Sequence, residues 1–367
     1  PGLAQHVVRA MQVLFSEPAL LRNNQVRGAH KSSVELASKM TPADPLFARQ
    51  WHLNNTGRVG SVTGGTPGAD INAKAAWDLT TGSPNIKIAI VDDGCDLTHP
   101  EFQPAATKFA AMTDVLDGDN DPSPEDGDNH GTACAGIAAA AQNRIGVSGV
   151  AAGCQLIPIR LLGFAMDTDM EAQAFIFAAD NGADVISNSW GPADGYGIVT
   201  PLPAITGAAI NYAVTTGRGG LGCVVTWAAG NGAPYDSTDE DGYASNPVVL
   251  NVGATTWNDT KSSFSETGLS LDVVAPGGAA DGVPEHSILT TDRVGAEGYT
   301  TTNYTTGFDY SGTSAACPVA AGVAALALSV NPNLTYTQVM SLLETTAVKV
   351  DSAAGGYNGS GHSLRYG

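Results

Sequence analysis

The sequence predicts an α/β fold, a doubly wound and mostly parallel sheet with helices on both faces. Three observations carry this expectation. Short continuous apolar runs such as "IKIAIV" and "CVVTWAA" have the composition of strands buried on both sides, and they alternate with helical stretches rich in small residues. A chain of 367 residues, 43% hydrophobic and 14% charged, has enough apolar surface for a large core. Its 44 glycines, with many Ala, Ser and Thr, indicate close-packed elements joined by elaborate loops.

The elements follow in order. An Ala-rich helix is expected near 73–79, an apolar strand at 86–91, a helix at 130–141 ("HGTACAGIAAAA") and a strand at 154–162. The alternation continues with helix 170–181, strand 183–190, helix 202–216 and strands 223–229 and 248–254. Helices at 315–330 and 335–346 close the chain, with Pro318 expected in the first turn of the former. No internal repeat or clear second domain is visible. No apolar run is long enough and free enough of polar breaks to predict a membrane span. The segment 1–40 lacks periodicity and reads as an N-terminal extension, leaving 41–367 as one domain.

A net charge of −19 argues against nucleic acid as a partner, because phosphate binding needs clustered Lys and Arg. Cationic substrates and metal ions suit it better. The extension is itself basic: Arg9, Arg22, Arg27, Lys31 and Lys39 stand against Glu17 and Glu35, so the remainder is more acidic than the whole. The five cysteines, Cys95, Cys134, Cys154, Cys223 and Cys317, are odd in number and lack a CxxC spacing.

In a parallel sheet, ligands gather beyond the carboxyl ends of the strands. Polar groups stand at those ends here. Asp92 and Asp93 follow "IAIV", Asn231 follows "TWAAG", His130 opens a helix, and Ser314 opens another within "YSGTSAACPVAAGVAAL". Singly, each has an ordinary structural role: a strand-end turn, a helix cap, a turn residue beside glycine. Together, in the order Asp, His, Ser, they make a nucleophile, its base and an orienting carboxylate.

The motifs "IVDDGCDLTHPEF", "NHGTACAG", "AAGN" and "SGTSAACP" resemble those of the subtilisin-like serine proteases, and the likeness extends from Asp44 to Gly367. It implies a peptidase in which Ser314 attacks, His130 is general base and acid, Asp92 orients His130, and Asn231 with the Ser314 N–H holds the oxyanion. "SWGPADG", "DEDGY" and "SFSE" resemble the kexin and furin branch, which cuts after basic residues. That likeness assigns Asp194 and Asp241 to the basic side chain before the cut, with Ser189, Trp190 and Gly191 lining the same groove. It assigns Asp93 and Asp128 to the residue one earlier, and Glu171 to a residue further out.

The family likeness also implies Ca²⁺. A first site would use Asp44, Glu101, the Asn143 side chain and the carbonyls of Ala141, Ile145 and Val147. A second would use Asp114, Asp119 and Asp121, and a third Asp194, Asp236 and Glu266 beside the primary pocket. Further implications are polypeptide substrates, a propeptide of which "VLFSEP" in the extension is a remnant, and a secreted or periplasmic address. Convertases carry a β-rich domain after the catalytic one, so the C-terminal end is expected to be truncated. Two alternatives remain open: a broad-specificity subtilisin, distinguished by preference for apolar residues, and an inactive binding scaffold, distinguished by failure to react with an organofluorophosphonate.

Overall fold

A computed structural model describes residues 40–367. The expected extension and its strand-like "VLFSEP" lie outside the described residues. Seven parallel strands form the central sheet: β1 (Lys87–Asp92), β2 (Thr113–Asp114), β3 (Gln155–Arg160), β4 (Val185–Asn188), β5 (Val224–Ala228), β6 (Leu250–Thr255) and β7 (Val273–Pro276), in the spatial order β2-β3-β1-β4-β5-β6-β7. A small antiparallel hairpin joins Arg58–Val59 to Val62–Thr63. The helices are α1 (Ala73–Trp77), α2 (Ala105–Lys108), α3 (His130–Ala139), α4 (Thr168–Asp180), α5 (Ala204–Thr216), α6 (Thr313–Val330) and α7 (Tyr336–Thr346).

The chain order reverses at β1, whose neighbours β3 and β4 carry the chain to opposite sides, so this is the doubly wound sheet the sequence predicts. Alternate residues of β1 serve two cores: Ile88 and Ile90 pack with α3 and α6, while Ala89 and Val91 pack with α4 and α5. This is why the strands read as unbroken apolar runs. The short strands β2 and β7 escape the sequence pattern: one has two residues, and the other ends in Pro276 before Gly277-Gly278.

Helix α6 is long and apolar enough to cross a membrane by length and composition alone, with mean hydropathy 1.7, but 78% of it is buried inside the fold. Pro318 is its sixth residue, beyond the first turn where it was expected. A proline there cannot donate to the carbonyl four residues earlier, that of Ser314. The Ser189 hydroxyl donates to that carbonyl instead, at 3.0 Å. The break in the ladder thus ties the start of α6 to the end of β4.

Candidate active site

Asp92 is the last residue of β1, and its carboxylate is 1% exposed. It receives His130 Nδ1 at 2.9 Å on Oδ1 and 3.1 Å on Oδ2. His130 comes within reach because α3 starts against the end of β1: a Cβ on Gly131 would lie 2.2 Å from the Gly94 carbonyl oxygen and 2.9 Å from the Asp92 Cβ. Only glycine permits that approach. Burial favours the neutral imidazole, but the facing Asp92 carboxylate, with the Cys134 sulfur, outweighs it and raises the His130 pKa well above 6.5. Tyr310 packs on the imidazole at 6.0 Å between ring centres, and Cys134 Sγ lies 3.7 Å from Nδ1.

Ser314 is the second residue of α6, and its hydroxyl donates to the Ser189 carbonyl at 3.1 Å. Asn231 follows β5 in a loop where Gly230 has φ 103°, and a Cβ at Gly230 would meet Glu266 Oε1 at 2.3 Å. The Asn231 Oδ1 accepts the Thr313 N–H at 2.8 Å and the Thr313 hydroxyl at 3.0 Å. Its Nδ2 therefore turns to the groove, 3.4 Å from Asp194 Oδ2. Thr313 was hidden in the "SGTS" motif, yet it sets the direction of the Asn231 amide.

Beside Ser314 opens a cavity of about 200 Å³ lined by Ser189, Trp190, Gly191, Asp194, Asn231 and Asp241, among others. Asp241 lies against Gly191, where a Cβ would approach its Oδ2 to 3.0 Å. Burial first, and then the neighbouring Asp194, push the Asp241 carboxyl up to about 6. Asp194 and Asp241 thus give this cavity two acidic walls. The Trp190 ring backs it, 4.6 Å from Trp227 and 5.4 Å from Tyr243 between centres.

The expected outer acids all hold partners within the protein. Glu171 is buried in α4, where the Thr206 hydroxyl donates to it at 2.6 Å and the Tyr243 hydroxyl at 3.1 Å, so it does not face the groove. Asp128 is drawn toward Arg160, whose Nε and Nη2 both approach its Oδ2 at 3.1 Å. Asp93 caps α3, accepting the Gly131 N–H at 2.6 Å and the His130 N–H at 2.9 Å. Burial, then repulsion from Asp92, raise its carboxyl to about 6.

The three acidic sets differ in the same way. Asp44, Glu101 and the loop 141–148 come together: Asp44 Oδ1 accepts the N–H groups of Asn143 and Arg144, and Glu101 Oε1 accepts that of Val147 at 2.9 Å. Glu101 Oε2 is buried with no partner, and burial pushes that carboxyl up to about 7. An orphaned, buried carboxylate oxygen beside Asp44 and the 141–148 loop fits a hard cation. Asp194, Asp236 and Glu266 also converge, with carboxylate oxygens within 4.8 Å of one another. Asp236 anchors the cavity wall by accepting the N–H groups of Gly195 and Gly197. The set Asp114, Asp119 and Asp121 does not converge: Asp114 pairs with Arg160 at 2.7 Å, and Asp121 receives the Ser123 hydroxyl at 2.6 Å. Arg160, unremarked in the sequence, takes the place that a cation was expected to fill.

Comparison with known proteins bears on the family and the fold. The chain is 43% identical over 339 residues to a calcium-dependent protease of Trichormus variabilis, covering 88% of this chain and 49% of that protein. It is 36% identical over 312 residues to human neuroendocrine convertase 2, covering 83% of this chain and 46% of that protein. The chain thus spans about half the length of the curated relatives it matches. A serine protease of Aeromonas sobria has the same fold, with TM-score 0.78 and 24% identity over 94% of this chain and 68% of that one. A protease of Pseudoalteromonas arctica superposes with TM-score 0.68 and 28% identity, covering 85% of this chain and 94% of that one. Residues 83–367, which hold every strand of the sheet, match the subtilase family model, and the chain belongs to that family.

Proposed function

We propose that this chain is the catalytic unit of a calcium-dependent serine endopeptidase, exported from the cytoplasm, that cuts polypeptides after Arg or Lys. The observation that supports the specificity is that Asp194 and Asp241 both line the cavity beside Ser314. A fixed carboxylate pair suits a guanidinium or ammonium head, with bidentate bonds favouring Arg.

The residues supply each step. The Ser314 hydroxyl leaves the Ser189 carbonyl and gives its proton to His130 Nε2 as its oxygen attacks the substrate carbonyl carbon. Asp92 holds Nδ1–H and stabilises the imidazolium. The oxyanion faces Asn231 Nδ2 and the N–H groups at the start of α6, a helix terminus that favours negative charge. His130 returns the proton to the leaving amine, and water then takes the same route to hydrolyse the acyl-enzyme. The first and third acidic sets would hold calcium through Asp44, Glu101, Asn143 and the nearby carbonyls, and through Asp194, Asp236 and Glu266. Calcium bound there supplies the positive charge that lets these carboxylates stay ionised side by side.

Fluorogenic peptides ending in Arg, Lys, Leu or Phe test the reading. Arg and Lys peptides are expected to dominate kcat/KM, and Asp241→Asn to lower that preference about 10- to 100-fold, the worth of one charged hydrogen bond. Dominance of Leu or Phe would contradict the acidic pocket and favour a broad-specificity subtilisin.

A pH profile tests the base. His130 must be neutral to act, and Asp92 raises its pKa, so activity is lost as pH falls through that raised value. The acid limb of kcat/KM is expected above 6.5, with a tenfold loss per unit below it. Asp92→Asn should move the limb down and cost about 10⁴-fold in kcat, as at triads of this type. An unmoved limb would remove His130–Asp92 from the mechanism.

A further inference from the structure

A second cavity, of about 170 Å³, shares no lining residue with the one beside Ser314. Its apolar walls are Val273 and Ala275 of the edge strand β7, Val319 and Val323 of α6, and Leu342 and Leu343 of α7. Val323, Leu342 and Leu343 are half-buried, so the cavity is open to solvent on their side. Its charged lining is Asp70 and Asp259, and among the described residues no Lys or Arg joins them there.

The two acids are unanswered. Asp70 accepts the N–H groups of Asn55 and Asn72, each at 2.6 Å. The Asp259 carboxylate has no hydrogen bond or ion pair among the described residues, and burial followed by repulsion from Asp70 pushes it up to about 6. The lysines on adjoining segments are turned to other partners. Lys261 Nζ donates to the carbonyls of Ser262 and Ser265, and Lys349 Nζ lies 5.3 Å from the centre of the Tyr357 ring.

We propose that this cavity is a binding site for a small organic cation with an aliphatic body, an alkylammonium whose head meets Asp259 and Asp70 and whose chain packs on α6 and α7. The volume sets the length at about six carbons, since an apolar cavity of about 150 Å³ holds benzene. Apolar walls supply affinity, and the two carboxylates select the sign of the head. The site touches the helix that begins beside Ser314 but stands outside the substrate groove, so it does not depend on the basic-residue reading above.

Thermal melts in Ca²⁺ with hexylammonium, hexan-1-ol or hexanoate test this, each variant being compared with its own ligand-free melt. At about 10 mM, hexylammonium is expected to raise Tm by about 3 °C, hexan-1-ol by under about 1 °C and hexanoate not at all. Asp259→Asn, which keeps the cavity volume, should weaken hexylammonium about tenfold. Val323→Phe, verified as folded by circular dichroism, fills the cavity and should abolish its contribution to the shift. Hexylammonium also suits the acidic pocket beside Ser314, so Asp241→Asn is measured alongside. A shift that survives Asp259→Asn unchanged overturns the inference, and its loss in Asp241→Asn would then place the cation beside Ser314. No shift in the unaltered protein, or equal shifts from hexylammonium and hexan-1-ol, overturns it as well.

Discussion

Ser314→Ala is expected to lower kcat about a million-fold while leaving the fold intact, matching what removal of the nucleophile costs in subtilisin. In the proposed mechanism the loss is this large because Ser314, His130 and Asp92 act as a unit. Without the oxygen, the base has nothing to activate, and what remains is binding and the oxyanion donors, worth about 10³–10⁴ over water. Stability should change little, since the hydroxyl makes one hydrogen bond, to the Ser189 carbonyl at 3.1 Å, worth about 1 kcal/mol. The checks are single-turnover peptide hydrolysis, labelling by an organofluorophosphonate and a thermal melt. Undiminished hydrolysis by a folded Ser314→Ala protein would sink the mechanism. An unlabelled wild-type protein would point to a binding scaffold.

Chelation of calcium is the second large effect. Asp194, Asp236 and Glu266 crowd together, and burial with repulsion from Asp194 and Asp236 pushes the Glu266 carboxyl up to about 8. Glu101 holds a buried oxygen without a partner. A site filled at a thousand times its dissociation constant stabilises the fold by about 4 kcal/mol. For a domain of this size that is a shift in Tm of about 8 °C per site, at about 2 °C per kcal/mol. Activity on an Arg peptide should fall with stability, because Asp236 ties down Gly195 and Gly197 next to Asp194 in the cavity wall. Calorimetry with EDTA, then with added Ca²⁺ or Mg²⁺, reads both effects. Ca²⁺ should restore the melt, and Mg²⁺ should not, because it demands a tighter octahedral shell. Identical melts with and without EDTA would remove calcium from the account.

Much of this was legible in the sequence, for a definable reason. A parallel sheet sends the residue after each strand to one edge, so Asp92, Asn231 and the helix-opening His130 and Ser314 could be gathered from strand positions alone. The structure adds why glycines flank two of them: at Gly131 and Gly230 another chain segment presses close. The helices were legible from the same alternation. The missed strands, Thr113–Asp114 and Val273–Pro276, are too short to carry a period and exist only because a neighbouring strand pairs with them.

The acids divide along the same line. The sequence by itself determined which residue types stand at the catalytic edge and that the body of the chain is acidic. Only the tertiary structure decided which carboxylates are unpaired. Glu171 meets Thr206 and Tyr243, and Asp114 and Asp128 meet Arg160, across 32 to 72 residues of chain. Asp194, Asp236 and Glu266 bring their carboxylate oxygens within 4.8 Å of one another. A carboxylate's role depends on whether its charge is answered within a few ångströms, and that distance is set by packing rather than by position along the chain.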